Sequence, residues 1–166
     1  VGGIGVGVVP LSCAIGTKFK DVRERLFKNH TLKAVFSMPD DIFYPVGTNV
    51  CVMVWEAHTP HDSEQETFFG YYKDDGFVKK KKLGRIDINK KWTKIEQKWL
   101  SLYRNKDVKD GLSARKCVSY SDEWLCEAYM KTDYTKLTAN DFQCTLNNYL
   151  SYLIKEGTVH EDSDGV

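Results

Sequence analysis

Three short apolar runs in the first third of the chain predict buried strands. The first, residues 4–9, is β-branched and rich in glycine, and it ends at Pro10, which is typical of a parallel strand at a ligand-facing sheet edge. The second run covers residues 32–38 and stops at Pro39, and the third covers residues 49–55. A loop that mixes acidic and aromatic residues separates the second run from the third.

An amphipathic segment over residues 18–29 separates the first two runs and predicts a helix. Its apolar face carries Phe19, Val22 and Leu26, and its charged positions, Arg23 among them, are expected to face water. The order strand, helix, strand, loop, strand describes one crossover followed by an antiparallel return. The pattern therefore predicts a layered α/β fold with a mixed sheet edge.

The hydrophobic pattern changes after residue 66. Residues 67–82 alternate around the Asp-Asp-Gly turn at 74–76 as a β-hairpin does, because Asp-Gly adopts the positive φ of a tight turn. Residues 89–104 carry an apolar stripe at helical spacing, and residues 114–120 predict a further strand. The change in composition over residues 58–66 marks the expected seam between two parts of the chain.

A capping box predicts the start of the last helix. Thr138 and Asp141 have the required spacing, an apolar stripe follows them, and Gly157 is the expected stop. Residues 158–166 are expected to form a disordered tail.

Composition and charge narrow the class of protein. The chain has 166 residues, of which 42% are hydrophobic and 28% charged, so it can bury a core without a disulfide framework or structural metal. Its uncharged start is shorter than the roughly 20 apolar residues of a membrane span, so no membrane partner is expected. The net charge of +1 is the sum of −2 over residues 1–72, +9 over residues 73–116 and −6 over residues 117–166. The middle segment can neutralise several phosphates.

Three other motifs carry little chemistry. The glycines at positions 3, 5 and 7 lie inside a strand and lack the G-x-G-x-x-G spacing of a phosphate loop, so close packing against a neighbouring strand is the expected reason for them. His58 and His61 lie in a polar loop without a third metal ligand. The five cysteines form no C-x-x-C pair, so free thiols and a reducing, cytoplasmic setting are expected.

Two segments are the candidates for binding. Phe43 and Tyr44 lie in the loop between two buried strands, at a sheet edge where α/β proteins bind ligands. An aromatic side chain there either meets a ligand or caps the core, and both interpretations stay open. The basic candidates are a run of four lysines and a nearby arginine, which are either a solvated face or a phosphate-binding surface. They are Lys79, Lys80, Lys81, Lys82 and Arg85.

The chain resembles the C-terminal part of the modification (methylation) subunit of type I restriction-modification systems, an adenine-N6 DNA methyltransferase. The resemblance runs from about Gly2 to Gly157. It is carried by the helix over Trp92 to Tyr103 and by three stretches: MPDDIFYPVGTNVCVMVWEAHTPH, FFGYYKDDGFVKKKKLGRID and DEWLCEAYMKTDY. It implies for residues 1–58 the late strands of a Rossmann-like methyltransferase sheet, and for residues 67–157 an appended basic hairpin and helical region.

Two motifs of that family are missing. Its catalytic tetrapeptide, [Asn/Asp]-Pro-Pro-[Phe/Tyr], needs adjacent prolines, whereas all four prolines of this chain are isolated. The glycine-rich loop that binds S-adenosylmethionine after the family's first strand has no counterpart either. We expect both motifs upstream of Val1 in a complete subunit. The chain alone is then catalytically inactive, and no S-adenosylmethionine is expected to bind it.

The resemblance also implies roles for the two candidate segments. Phe43 falls at the position whose ring stacks on the flipped adenine, with Tyr44 beside it, and the site edge is formed by Pro10, Pro39 and Pro45. The basic run is expected to contact DNA or the neighbouring specificity subunit. Specificity and restriction subunits are the expected protein partners, together with a dimer through an exposed sheet edge.

Two alternatives remain from the residues themselves. The chain is a non-catalytic module that docks a protein or binds the DNA backbone, or it is an unrelated small-molecule α/β enzyme.

Overall fold

The computed structural model describes residues 2–131, 135 and 137–156. The predicted tail at 158–166 lies outside the described residues. The chain consists of two compact units, Val1–Lys131 and Thr132–Val166, each defined by the contacts among its own residues.

The described part of the first unit is built on strands and three helices. The strands are β1 (Ile4–Pro10), β2 (His30–Ser37), β3 (Val50–Ala57), β4 (Glu66–Tyr71), β5 (Val78–Lys80), β6 (Gly84–Ile86) and β7 (Ser113–Cys117). The helices are α1 (Ser12–Ile15), α2 (Lys20–Asn29) and α3 (Trp92–Asn105), with 3-10 turns at Thr17–Phe19 and Cys126–Ala128.

Five strands form one mixed sheet in the order β1-β3-β2-β4-β7. β3 is antiparallel to both β1 and β2, β4 is parallel to β2, and β7 is antiparallel to β4. The expected α/β fold with a crossover and an antiparallel return is confirmed. The pairing of β2 with β4 joins residues on both sides of the seam expected at 58–66; the division of the chain there stays a prediction.

The prediction that the first strand is buried and parallel is wrong. β1 is antiparallel to its one described neighbour, β3, and lies at the end of the sheet order. Ile4, Val6 and Val8 are 68%, 65% and 58% exposed.

The glycines of β1 do not result from close packing. A Cβ at Gly3 would meet nothing within 4 Å, and at Gly5 or Gly7 it would meet side chains only at ordinary contact distance. Gly70 in β4 is a strand position where packing demands glycine, because a Cβ there would lie 2.7 Å from Phe36 Cδ1.

Two hydrophobic clusters cover the faces of the sheet. One face packs against α3, with Phe36, Phe68 and Trp99 at its centre. The other face packs against α1 and the segment around Trp124, with Val35 and Phe69 buried beneath them.

The expected polarity of α2 is wrong at two positions. Val22 is 40% exposed, whereas Arg23 is 2% exposed. Arg23 donates hydrogen bonds to the carbonyls of Tyr120, Cys13 and Gly16. Its guanidinium also lies 5.3 Å from the ring centre of Trp124. The helical pattern cannot reveal these acceptors, because Tyr120 is distant in the chain.

The expected hairpin over residues 67–82 is also wrong. β4 pairs with β2 and β7 instead of with residues 78–82. The basic residues form a different hairpin, in which β5 pairs with β6. Gly76 has the positive φ (79°) expected of the Asp-Gly turn, but this turn does not join paired strands.

The second unit contains helix α4 (Ala139–Lys155). Thr138 and Asp141 form the predicted capping box at its start. Hydrogen bonds from Thr138 lower the pKa of the Asp141 carboxyl, which suits an acidic side chain at a helix N-terminus. The apolar stripe of α4 is exposed to solvent. Its residues Phe142, Leu146, Tyr149 and Leu150 are between 44% and 62% exposed.

Candidate nucleic-acid interface

The carboxyl ends of β1, β2 and β4 meet at one edge of the sheet, because these three strands run in the same direction. Ligands of open α/β sheets bind at this edge. Pro10 ends β1 opposite Val50. Pro39 follows β2 and is fully buried, whereas Pro45 is exposed.

The loop that follows β2, residues 39–48, is called the aromatic loop. It is folded by successive turns, in which Ile42 N donates to Pro39 O, Tyr44 N to Asp41 O, and Val46 N to Phe43 O. Phe43 and Tyr44 are 48% and 45% exposed. No ring partner of Phe43 occurs among the described residues. About half of the Phe43 side chain is therefore accessible to a ligand.

The basic hairpin β5–β6 is attached to the aromatic loop by ion pairs. Arg85 Nε lies 3.0 Å from Asp41 Oδ1, and Lys79 Nζ lies 3.4 Å from Asp41 Oδ2. Lys73, in the segment after β4, pairs with Asp40. The structure thus brings the two candidate segments together, although the sequence separates them.

The remaining lysines of the run behave differently. Lys80, Lys81 and Lys82 are exposed. Among the described residues none of them has an ion-pair partner. Lys82 has a positive φ of 66° in the turn between β5 and β6. Their charge is free to meet an anionic partner.

Sequence reasoning missed a polar contact at the same edge. Ser37, fully buried at the end of β2, donates a 2.5 Å hydrogen bond to Glu127 Oε2. Burial raises the pKa of the nearby Cys51 thiol to about 12, with Cys13 and Glu127 adding to the shift. Cys51 is also fully buried, and a thiol with a pKa raised this far stays protonated at neutral pH. No pattern of local spacing connects Ser37 with Glu127.

Other site types have no support in the part of the chain that the structure describes. Its histidine, cysteine and acidic side chains do not gather in threes at a spacing that would hold a metal ion. His61 instead accepts a 3.3 Å hydrogen bond from Leu32 N and stacks on Phe27. Among the same residues, no helix has the length and hydrophobicity that crossing a bilayer requires.

Comparison with known proteins identifies a matching family and a relative with a similar sequence. A family model described as N-6 DNA methylase matches residues 3–156. The type II restriction enzyme and methyltransferase RM.BcgI of Heyndrickxia coagulans is 29% identical over 154 residues. That match covers 92% of this chain and 24% of the relative, so the chain spans about a quarter of the relative's length.

Three solved structures share the fold. A modification subunit of a putative type I restriction enzyme from Vibrio vulnificus matches with TM-score 0.50 and 16% identity, over 69% of this chain and 22% of that one. The methyltransferase subunit of a type I system from Streptococcus thermophilus matches with TM-score 0.52 and 18% identity, over 68% of this chain and 22% of that one. A structure that describes the complex assembly of the type I system matches with TM-score 0.56 and 17% identity, over 99% of this chain and 37% of that one.

Proposed function

The chain belongs to the N-6 DNA methylase family, and we propose that it forms the target-base side of the catalytic domain in a DNA adenine-N6 methyltransferase of a restriction-modification system. In this proposal its sheet is the C-terminal half of a Rossmann-like sheet in a cytoplasmic enzyme. Homology to a restriction enzyme and methyltransferase supports the enzyme class. The observation that carries the proposal is the half-exposed ring of Phe43 at the carboxyl edge of the sheet.

Phe43 is proposed to stack on the flipped adenine. An enzyme that methylates the exocyclic amine must rotate the base out of the duplex, which costs a few kcal/mol. Stacking on an aromatic ring recovers about 1–3 kcal/mol per base. Tyr44 lies beside Phe43 on the same exposed loop, and Pro45 follows it, so these residues supply the rim of the base pocket.

The methyl donor is proposed to bind outside this chain. N6 methyltransferases use S-adenosylmethionine, which supplies the methyl group when bound. The only clustered glycines of the sequence, at positions 2, 3, 5 and 7, do not form a loop before a helix: Gly5 and Gly7 lie within β1. The described residues therefore do not fit a donor-binding loop of the family's type, and the chain alone is proposed to be inactive.

The exposed edge of β1 supports the placement of this chain in a larger sheet. The backbone of β1 is paired on one side only among the described strands. Its apolar side chains are exposed, and Val6 lines an open groove of about 390 Å³ with Val52, Trp92 and Leu100. A further strand of the complete subunit is proposed to pair with this edge. In the isolated chain the same edge would pair two copies.

A second candidate function, protein docking, is favoured by α4. Phe142, Leu146 and Tyr149 are exposed at the spacing of a helix that packs lengthwise on another helix. We assign the specificity subunit as the partner that covers this stripe. Leu146→Asp should abolish co-purification of the two subunits, whereas Asn147→Asp on the polar side should not. Retention of the complex by Leu146→Asp would remove this function.

The role of Phe43 is tested in the complete modification complex. The measurement is the transfer of labelled methyl groups to genomic DNA from a strain that lacks the system. Phe43→Leu should lower the rate about 10- to 100-fold, since 1.4 kcal/mol corresponds to a factor of ten. Phe43→Trp should retain most of the rate because it keeps an aromatic face.

Val46→Ala is the matched control in the same loop, because Val46 is 61% exposed and has no proposed role. Its rate should equal that of the unmodified protein. A Phe43→Leu enzyme that methylates at the unmodified rate would overturn the proposal.

A further inference from the structure

The guanidinium of Arg85 connects the aromatic loop to the segment that follows β4. One terminal nitrogen donates to both carboxylate oxygens of Asp75, at 2.8 Å and 2.9 Å. Nε lies 3.0 Å from Asp41 Oδ1. The Arg85 side chain is 12% exposed, so these contacts are largely shielded from water. Shielded arginine–carboxylate pairs are stronger than surface ion pairs, and the pair with Asp75 is also hydrogen-bonded.

The Asp75 end of this connection is rigid. Asp75 is 7% exposed, and its Oδ1 also accepts a 3.0 Å hydrogen bond from Phe77 N. The Arg85 guanidinium lies 5.4 Å from the ring centre of Phe77. Asp75 and Phe77 therefore fix the orientation of the guanidinium. Among the described residues Nε has no hydrogen-bond partner, so its 3.0 Å contact with Asp41 Oδ1 is an ion pair and not a hydrogen bond.

The Asp41 end leads directly to Phe43. The backbone carbonyl of Asp41 accepts a 3.0 Å hydrogen bond from Tyr44 N, which closes the turn around Phe43. Lys79 adds a weaker constraint, since its Nζ lies 3.4 Å from Asp41 and 5.7 Å from the ring centre of Tyr44. A displacement of Asp41 would therefore move the turn that carries Phe43.

We infer that Arg85 is a positioning residue, which holds Asp41 and with it the aromatic loop, and that it does not bind DNA. The inference rests on the proposed function, because positioning matters to the reaction only if Phe43 stacks on the base. A loop held before the base arrives avoids the entropy cost of ordering it on binding. The lysines at the tip of the hairpin remain available for the DNA backbone.

Hydrogen exchange of the chain by itself tests the positioning role. The relevant amides are Tyr44 N, which donates to Asp41 O, and Val46 N, which donates to Phe43 O. Arg85→Ala should increase their exchange about tenfold or more, while the amides of β2 and β4 keep their protection. Arg85→Lys should give intermediate exchange rates, because a single ammonium group cannot contact the carboxylates of Asp41 and Asp75 as the planar guanidinium does. Lys81→Ala, an exposed neighbour, should leave loop exchange unchanged.

Asp41→Asn is the second variant, which keeps the pair of Arg85 with Asp75 and weakens the contacts of Asp41 with both Arg85 and Lys79. It should also accelerate exchange at Tyr44 and Val46, and by more than Lys79→Ala, which removes the Lys79 contact alone; this comparison decides the question if Arg85→Ala does not fold. Unchanged loop exchange in the variants that fold, or an acceleration spread evenly over β2 and β4, would overturn the inference.

The complete subunit separates this inference from the proposed function. Arg85→Ala should lower the methylation rate without changing the salt dependence of DNA binding. A decrease of the slope of log K against log salt concentration by about 0.9 would assign Arg85 to a phosphate and overturn its positioning role. If Phe43→Leu has no effect on methylation, the base-stacking proposal fails, whereas loop exchange in the chain alone still decides what Arg85 holds.

Discussion

The ring of Tyr72 lies flat on the ring of Trp99, with centroids 4.4 Å apart and planes 3° apart, and the Tyr72 hydroxyl donates a 2.8 Å hydrogen bond to the Trp99 carbonyl. The contact joins the residue after β4 to the middle of α3. Burial raises the pKa of the Tyr72 hydroxyl, so it remains a hydrogen-bond donor at neutral and moderately alkaline pH. This pair holds α3 on the sheet next to the basic hairpin.

Truncation of this pair should destabilise the chain in two steps. Tyr72→Phe keeps the stacking but loses the hydrogen bond, which should lower the free energy of unfolding by about 1 kcal/mol. Trp99→Ala should cost about 3–5 kcal/mol, because it leaves a cavity under α3. Urea unfolding measures both. The exposed Tyr120→Phe is the control and should change stability by less than about 0.5 kcal/mol. A Tyr72→Phe chain as stable as the original would contradict the role of the hydrogen bond.

Gly70 should not tolerate a side chain. An added Cβ would lie 2.7 Å from Phe36 Cδ1 and 2.9 Å from Tyr72 Cζ, so the two stacked rings must move. Gly70→Ala is expected to cost about 1–3 kcal/mol through overpacking. Gly3→Ala is the control, since nothing lies within 4 Å of its added Cβ. Thermal unfolding of the two variants should separate them clearly, and equal midpoints would refute the packing explanation.

Arg23 should stabilise the fold through its carbonyl acceptors. It donates at 2.9 Å to Tyr120 O, 3.2 Å to Cys13 O and 3.0 Å to Gly16 O. Burial lowers the pKa of the guanidinium, which nevertheless stays charged at neutral pH. Arg23→Met leaves the three carbonyls without this donor and should cost about 2–4 kcal/mol in urea unfolding.

The matched control for Arg23 is Arg25→Met, because Arg25 is exposed on the same helix. This substitution should change the free energy of unfolding by less than about 0.5 kcal/mol. Similar losses in the two variants would mean that the buried hydrogen bonds add nothing.

His61 should make the chain less stable in mild acid. Burial lowers its pKa below the ordinary value of 6.5, and Nδ1 must be unprotonated to accept the hydrogen bond from Leu32 N. The unfolded chain therefore binds a proton first as the pH falls below about 6.5, so stability falls there and is complete above it. His61→Gln should flatten this pH dependence between pH 5 and 7, measured by urea unfolding. His58→Gln, in the exposed part of the same loop, should keep it; an unaltered profile in His61→Gln would exclude His61 as the cause.

The exposed lysines should determine the salt dependence of DNA binding by the complete subunit. Replacement of Lys80, Lys81 and Lys82 by alanine removes three charges without described ion-pair partners. The slope of log K against log salt concentration should become less steep by up to about 2.7, since each phosphate contact contributes about 0.9. Replacement of the same lysines by arginine keeps the charge and should keep the slope. An unchanged slope in the alanine variant would make this run a solvated surface.

The sequence by itself determined the elements that have their own periodicity or end signals. β2, β3 and α3 lie almost where their apolar patterns place them, and the capping box at Thr138 starts α4 as predicted. These features depend on residues within a few positions of each other, so the chain contains them locally. The PDDIFYPVGTNVCVMVWE stretch also identified the methylase family that the comparisons support.

Only the tertiary structure decided which strands pair and which charges are buried. β4 pairs in parallel with β2 instead of turning back on residues 78–82, and Arg23 lies under the segment around Tyr120 instead of facing water. Arg85 likewise forms ion pairs with Asp41 and Asp75, which its position beside a lysine run could not show. Periodicity reports which face of an element is apolar, whereas a charged side chain is buried by partners that lie far away in the chain.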